Sequence, residues 1–113
     1  MKLSEIIKEI EVLEVKGSTS VEINEVDIDS RKAGEGHLFI AVVGTAADGH
    51  DYIPGAVKAG VSAVICERFP ETMPENVTFV RVKNSGDIVG QVASSFYGNP
   101  SSKLKLVGVT GTN

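Results

Sequence analysis

Two short apolar runs, residues 38–43 (Leu-Phe-Ile-Ala-Val-Val) and 61–66 (Val-Ser-Ala-Val-Ile-Cys), constrain this chain most, because of what separates them. The first has no polar alternation and is bounded by glycines, so it predicts a strand covered on both faces. The second reads the same way. Between them, Pro54 stands where a helix start tolerates a missing N–H, and Gly60 follows Ala59 where a helix would end. Strand, helix and strand joined this tightly predict a right-handed βαβ unit with parallel strands.

The rest of the chain fits around that unit. Leu3, Ile6, Ile7 and Ile10 recur at helical spacing, with Lys and Glu on the other face. Residues 12–15 predict a short strand closed by Gly17, and 21–28 an edge or half-exposed strand. Residues 70–76 form a polar loop, and 77–82 a third strand. Asn84 or Ser85 caps a helix with the stripe Ile88, Val89, Val92, Ala93 and Phe96, stopped by Gly98, Asn99 and Pro100. Residues 104–109 begin one more strand, which runs into Gly111, Thr112 and Asn113. The expected class is α/β: a small domain with a mostly parallel sheet and flanking helices, built on βαβ units.

Composition narrows the function. With 113 residues the chain is one domain by length, and 42% hydrophobic with 23% charged residues is a globular balance. The formal net charge is −4 and the 11 basic residues are scattered, which argues against nucleic acid as a partner. A small anion held by backbone N–H groups remains compatible with that charge. The single cysteine, Cys66, forms no internal disulfide, and no run approaches the length of a membrane span, so a soluble cytoplasmic protein is expected.

The candidate site is residues 28–52, where a buried strand delivers glycine-rich loops to one edge of a sheet. Asp29, Ser30 and Arg31 make a corner. One reading is a strand-ending turn with Asp or Ser on local backbone. The other gives the Ser30 hydroxyl to a phosphate or sugar oxygen, with Arg31 paired to an acidic group or to Asp29. After the strand, Gly44, Thr45, Ala46, Ala47, Asp48 and Gly49 allow close backbone approach to a flat or anionic ligand. His37 and His50 lack partners at metal-ligand spacing and read as ordinary loop residues. Cys66 reads as core, and Phe96-Tyr97 as core plus cap. Catalytic and metal-ligating residues are expected to be absent. Gly111, Thr112 and Asn113 look like the first half of a phosphate loop, whose lysine is not in the chain.

Asp29-Ser-Arg-Lys-Ala-Gly-Glu-Gly-His-Leu-Phe-Ile-Ala, Asp48-Gly-His-Asp-Tyr-Ile, Ala59-Gly-Val-Ser-Ala-Val-Ile, Phe96-Tyr-Gly-Asn-Pro-Ser and Lys103-Leu-Lys-Leu-Val-Gly-Val-Thr-Gly-Thr-Asn follow in order. Together they resemble the N-terminal domain of the Mur ligases, most of all the branch that adds the third residue of the peptidoglycan stem peptide. The resemblance implies a piece of a three-domain, ATP-dependent ligase that forms an amide bond. Residues 1–103 would bind substrate, and 104–113 would begin the ATP-binding domain. It implies that Ile28, Ser30, Thr45, Ala46 and Ala47 hold the uridine diphosphate end of UDP-MurNAc-L-Ala-D-Glu. It further implies that Gly111, Thr112 and Asn113 start the ATP loop, with ATP and Mg2+ used by the longer enzyme. The piece itself is expected to be catalytically inactive and a monomer. The alternative is a non-catalytic α/β protein-interaction module.

Overall fold

The computed structural model describes residues 1–44 and 48–98. The order of elements is α1 (Leu3–Ile7), β1 (Glu14–Lys16), β2 (Glu25–Asp27), β3 (His37–Ile40), α2 (Ile53–Ala59), β4 (Ala63–Cys66), β5 (Thr78–Arg81) and α3 (Ser85–Tyr97). Two 3-10 turns, Ser30–Lys32 and Gly49–Tyr52, follow β2 and precede α2.

The five strands lie in the order β1-β5-β4-β3-β2. β2, β3, β4 and β5 run parallel, and β1 closes one edge antiparallel to β5. The α/β class and the parallel pairing of β3 with β4 across α2 follow the sequence reading.

Alternate strand residues face opposite layers, as the pleat requires. Leu38, Ile40, Ala63, Ile65, Val80 and Val82 pack beneath α1 and α3 with Leu3, Ile6, Ile88, Val92 and Phe96. Phe39, Ala41, Val64, Cys66 and Phe79 pack beneath α2 with Ile53 and Ala56. A sheet covered on both sides needs apolar residues at consecutive positions, which is why 38–41 shows no alternation. Full burial leaves Cys66 donating weakly to the Val80 carbonyl and pushes its thiol up to about 11. It is a core residue.

The helices end where local chemistry stops them. Gly60 takes φ 104°, the left-handed conformation that only glycine adopts cheaply, and its N–H bonds back to Ala56 and Val57. At α3, the Asn84 side chain accepts the Asp87 N–H at 3.1 Å.

Several expected bounds shift. The strand predicted over 38–43 leaves the ladder after Ile40, although Ala41 still donates to Ile65 at 2.8 Å. The Val42 carbonyl turns to accept the Gly49 N–H at 2.8 Å, and Val43 ends half exposed. The apolar tail of the run serves the sheet's edge rather than its interior. The strand expected over 21–28 keeps only Glu25–Asp27, while Ile23 is buried outside it. Residues 70–76 form no regular element, yet Met73 packs against the core beneath α2. The strand over 104–109 and the division at 103/104 lie outside the described residues.

Candidate nucleotide-binding cleft

The carboxyl ends of β2 and β3 open into a cleft of about 450 Å3. Open α/β sheets place ligands at this edge. Asp29, Ser30 and Arg31 form its polar wall; Ile28, Val42 and Tyr52 form its apolar wall, with Gly49 between.

The polar wall is built by one aspartate. Asp29 leaves β2 extended and caps the Ser30–Lys32 turn, its Oδ1 accepting the Arg31 N–H at 2.9 Å. The same carboxylate receives the guanidinium twice, from Nε at 3.1 Å and from a terminal nitrogen at 2.9 Å. The Arg31 side chain and then its backbone N–H hold the Asp29 carboxyl down at about 2. Arg31 is therefore neutralised by its neighbour, which leaves the Ser30 hydroxyl as a polar group of this corner for a ligand.

The second wall rests on another aspartate. Asp48 caps the Gly49–Tyr52 turn and accepts the His50 N–H at 2.9 Å and the His50 ring Nδ1–H at 2.7 Å. Its other oxygen receives Arg68 at 2.7 Å. Arg68 first, and then His50, hold the Asp48 carboxyl well below the usual range. On the far side of the ring, His50 Nε2 accepts the Glu67 N–H at 2.9 Å, which fixes the proton on Nδ1. The Glu67 carboxylate accepts the Ser85 N–H at 2.9 Å and its hydroxyl at 3.2 Å. This relay ties the cleft to the end of β4 and the start of α3.

Of the expected site residues, the structure brings Ile28 and Ser30 together on the cleft. Arg31 pairs with Asp29, one of the options left open by the sequence. Thr45, Ala46 and Ala47, and likewise Gly111, Thr112 and Asn113, lie outside the described residues. The histidines require correction. His37 is the first residue of β3, with Nδ1 2.5 Å from the Asp27 carboxylate. His50 is buried and spans two backbone segments. Neither is an ordinary loop residue, because strand pairing sets Asp27 beside His37 and the fold brings the Glu67 N–H to the far side of the His50 ring. Gly49, named in the glycine loop, lines the cleft, whereas Val42 and Tyr52, though inside the candidate stretch 28–52, were not singled out as wall residues. The repeated spacing Asp29-x-Arg31 and Asp48-x-His50 was the available signal for two like turns. Among the described residues, no cluster of His, Cys, Asp and Glu could hold a metal ion. Nor is any described helix long and apolar enough to cross a membrane.

The family model described as Mur ligase family, catalytic domain, matches residues 22–97. Over 113 residues, the chain is 54% identical to the UDP-N-acetylmuramoyl-L-alanyl-D-glutamate--2,6-diaminopimelate ligase of Bacteroides fragilis, covering all of this chain and 23% of that protein. The protein of the same name from Clostridioides difficile is 42% identical with the same coverage. Among solved structures, the MurF ligase from Thermotoga maritima in complex with ADP aligns with TM-score 0.56 at 30% identity. That alignment covers 70% of this chain and 17% of that one. The UDP-N-acetylmuramoylalanyl-D-glutamyl-2,6-diaminopimelate--D-alanyl-D-alanyl ligase from Acinetobacter baumannii gives 0.57 at 26% identity, covering 65% and 16%. The chain thus spans about a quarter of the length of the curated relatives it matches.

Proposed function

Since the chain belongs to the Mur ligase family, we propose that it is the substrate-anchoring part of a cytoplasmic ligase joining 2,6-diaminopimelate to UDP-MurNAc-L-Ala-D-Glu. The choice of diaminopimelate rests on the names of the curated relatives. The role of this part rests on one observation. The Asp29–Ser30–Arg31 corner and the Gly49–Tyr52 turn converge on a single cleft at the carboxyl edge of β2 and β3.

In this reading Ile28 and Ser30 take the uridine diphosphate end, joined by the backbone of Thr45, Ala46 and Ala47. The Ser30 hydroxyl donates to a phosphate or sugar oxygen, a bond strengthened by the ligand's charge. ATP supplies the energy for the amide bond in the longer enzyme, and Gly111, Thr112 and Asn113 begin the loop that holds it with Mg2+. The described residues contribute orientation. Anchoring the nucleotide far from the reacting carboxylate converts an encounter into a positioned reaction. Remote binding energy also helps organise the distant chemistry.

Titration calorimetry with UDP-MurNAc-L-Ala-D-Glu tests this. The chain is expected to bind, and Ser30→Ala to weaken binding about tenfold while remaining folded. A folded chain that releases no heat would count against an anchoring role and favour a protein-interaction module.

A further inference from the structure

Tyr52 is the aromatic residue in the wall of the cleft, and nearly half of it faces solvent (49%). Phe39 and Phe79 are fully buried and Phe96 nearly so, while the other exposed ring, Tyr97, is tied by its hydroxyl to Glu25. Ile28, another wall residue, is 58% exposed. An aromatic and a branched aliphatic left open on the same cleft form a surface suited to an apolar face.

The backbone holds Tyr52 in place independently of its ring. It ends the turn capped by Asp48 and immediately precedes α2, whose first residue, Ile53, is buried in the core under that helix. The Gly49 N–H on the Val42 carbonyl fixes the other end of the turn. The ring is therefore presented by a rigid segment with little entropy to lose on binding. α2 also packs against the Ser30–Lys32 turn, so the ring and the polar corner hold a fixed relation.

We propose that Tyr52 is the base-stacking, specificity-determining residue of this cleft, its ring covering one face of a pyrimidine while the Ser30 corner takes the sugar-phosphate side. The inference rests on the uridine-nucleotide reading above and extends it from anchoring to base selection. A planar base gains stacking on such a ring without needing edge hydrogen bonds. Ile28 contributes a second apolar border to the base pocket.

The chain has no tryptophan and two tyrosines, Tyr52 and Tyr97. Tyr97 does not line the cleft; its hydroxyl donates to Glu25. A Tyr97→Phe background therefore makes Tyr52 the sole tyrosine emitter. In that background, UDP and uridine should quench emission and move the Tyr52 ring-proton signals upfield, whereas inorganic pyrophosphate should not. Tyr52→Leu should lose about tenfold in UDP affinity with pyrophosphate binding unchanged, and Tyr52→Phe should stay within about twofold. UDP binding that leaves the Tyr52 ring signals unmoved, or that is as tight in a folded Tyr52→Leu variant, overturns stacking and leaves the nucleotide reading standing. A wild-type chain that fails to bind UDP overturns the nucleotide reading, and this inference with it.

Discussion

The two turns that flank the cleft use one local device and embed it in opposite ways. Asp29 and Asp48 each precede a 3-10 turn at near-identical backbone angles, φ −113° and ψ 115° against φ −103° and ψ 118°. Each accepts the N–H two residues on at 2.9 Å, and each is met by the side chain of that same residue. There the likeness ends. The Arg31 side chain is 88% exposed and turns back on its own aspartate, whereas the His50 side chain is 4% exposed and passes its bonds onward to Glu67. One corner is self-contained and keeps a serine hydroxyl on the cleft. The other is anchored to the core and supplies a rigid wall. Sequence two residues apart sets the turn; tertiary partners decide whether it serves the ligand or the scaffold.

Glycines near each corner should separate them most strongly. A Cβ added at Gly49 would lie 2.6 Å from the Val42 nitrogen and 2.8 Å from its carbonyl oxygen, both immovable backbone. Gly49→Ala should cost about 3 kcal/mol in urea unfolding. Gly34, near the other corner, would bring a Cβ no closer than 3.9 Å to the His37 ring, so Gly34→Ala should leave the midpoint unchanged. Equal effects would break the contrast.

Truncating the two partners gives the next largest difference. His50→Ala strips a buried ring that bridges Asp48 and the Glu67 N–H, at a cost of about 2 kcal/mol in the same assay. Arg31→Ala removes an exposed ion pair and should scarcely move the unfolding midpoint.

Acid should produce the smallest and most graded contrast. Both carboxyls lie below their usual 3.8 in the folded chain, so folding binds fewer protons than unfolding there. Their stabilisation is complete above about pH 4 and fades as pH falls through the folded values. The Asp29 carboxyl carbon should titrate near 2 by NMR, and Asp48, with Arg68 and His50 both upon it, should titrate lower still. Coincident midpoints would show that the extra partners of Asp48 add nothing.

The sheet was legible because burial on two faces writes itself as continuous apolar residues. Residues 38–41 and 63–66 needed no long-range information to read as strands, and Pro54 and Gly60 bracketed α2 closely. Strand ends were less legible, since Val42 and Val43 carry the same apolar signature outside the ladder as Phe39 does within it. Ile28 and Ser30 could be named from the Asp-Ser-Arg corner and its resemblance to the Mur ligases. Tyr52 could not, because its place in the cleft wall depends on the end of β2 and the Gly49–Tyr52 turn meeting across the sheet's edge. The histidines misled for the same reason. The Asp48-x-His50 spacing was on the page, but the Glu67 N–H that completes it arrives from the end of β4.

In the proposed function, one cleft at the carboxyl edge of β2 and β3 receives the nucleotide end of the substrate. Titrating UDP-MurNAc-L-Ala-D-Glu into the labelled chain and following backbone amides by NMR tests it most directly. Shifts should concentrate at Ile28 to Arg31, Val42 and Gly49 to Tyr52, with the amides of Val57, Glu71 and Thr72 in the second groove silent. Shifts centred on that groove, or none in a folded sample, would rule out this cleft as the nucleotide site.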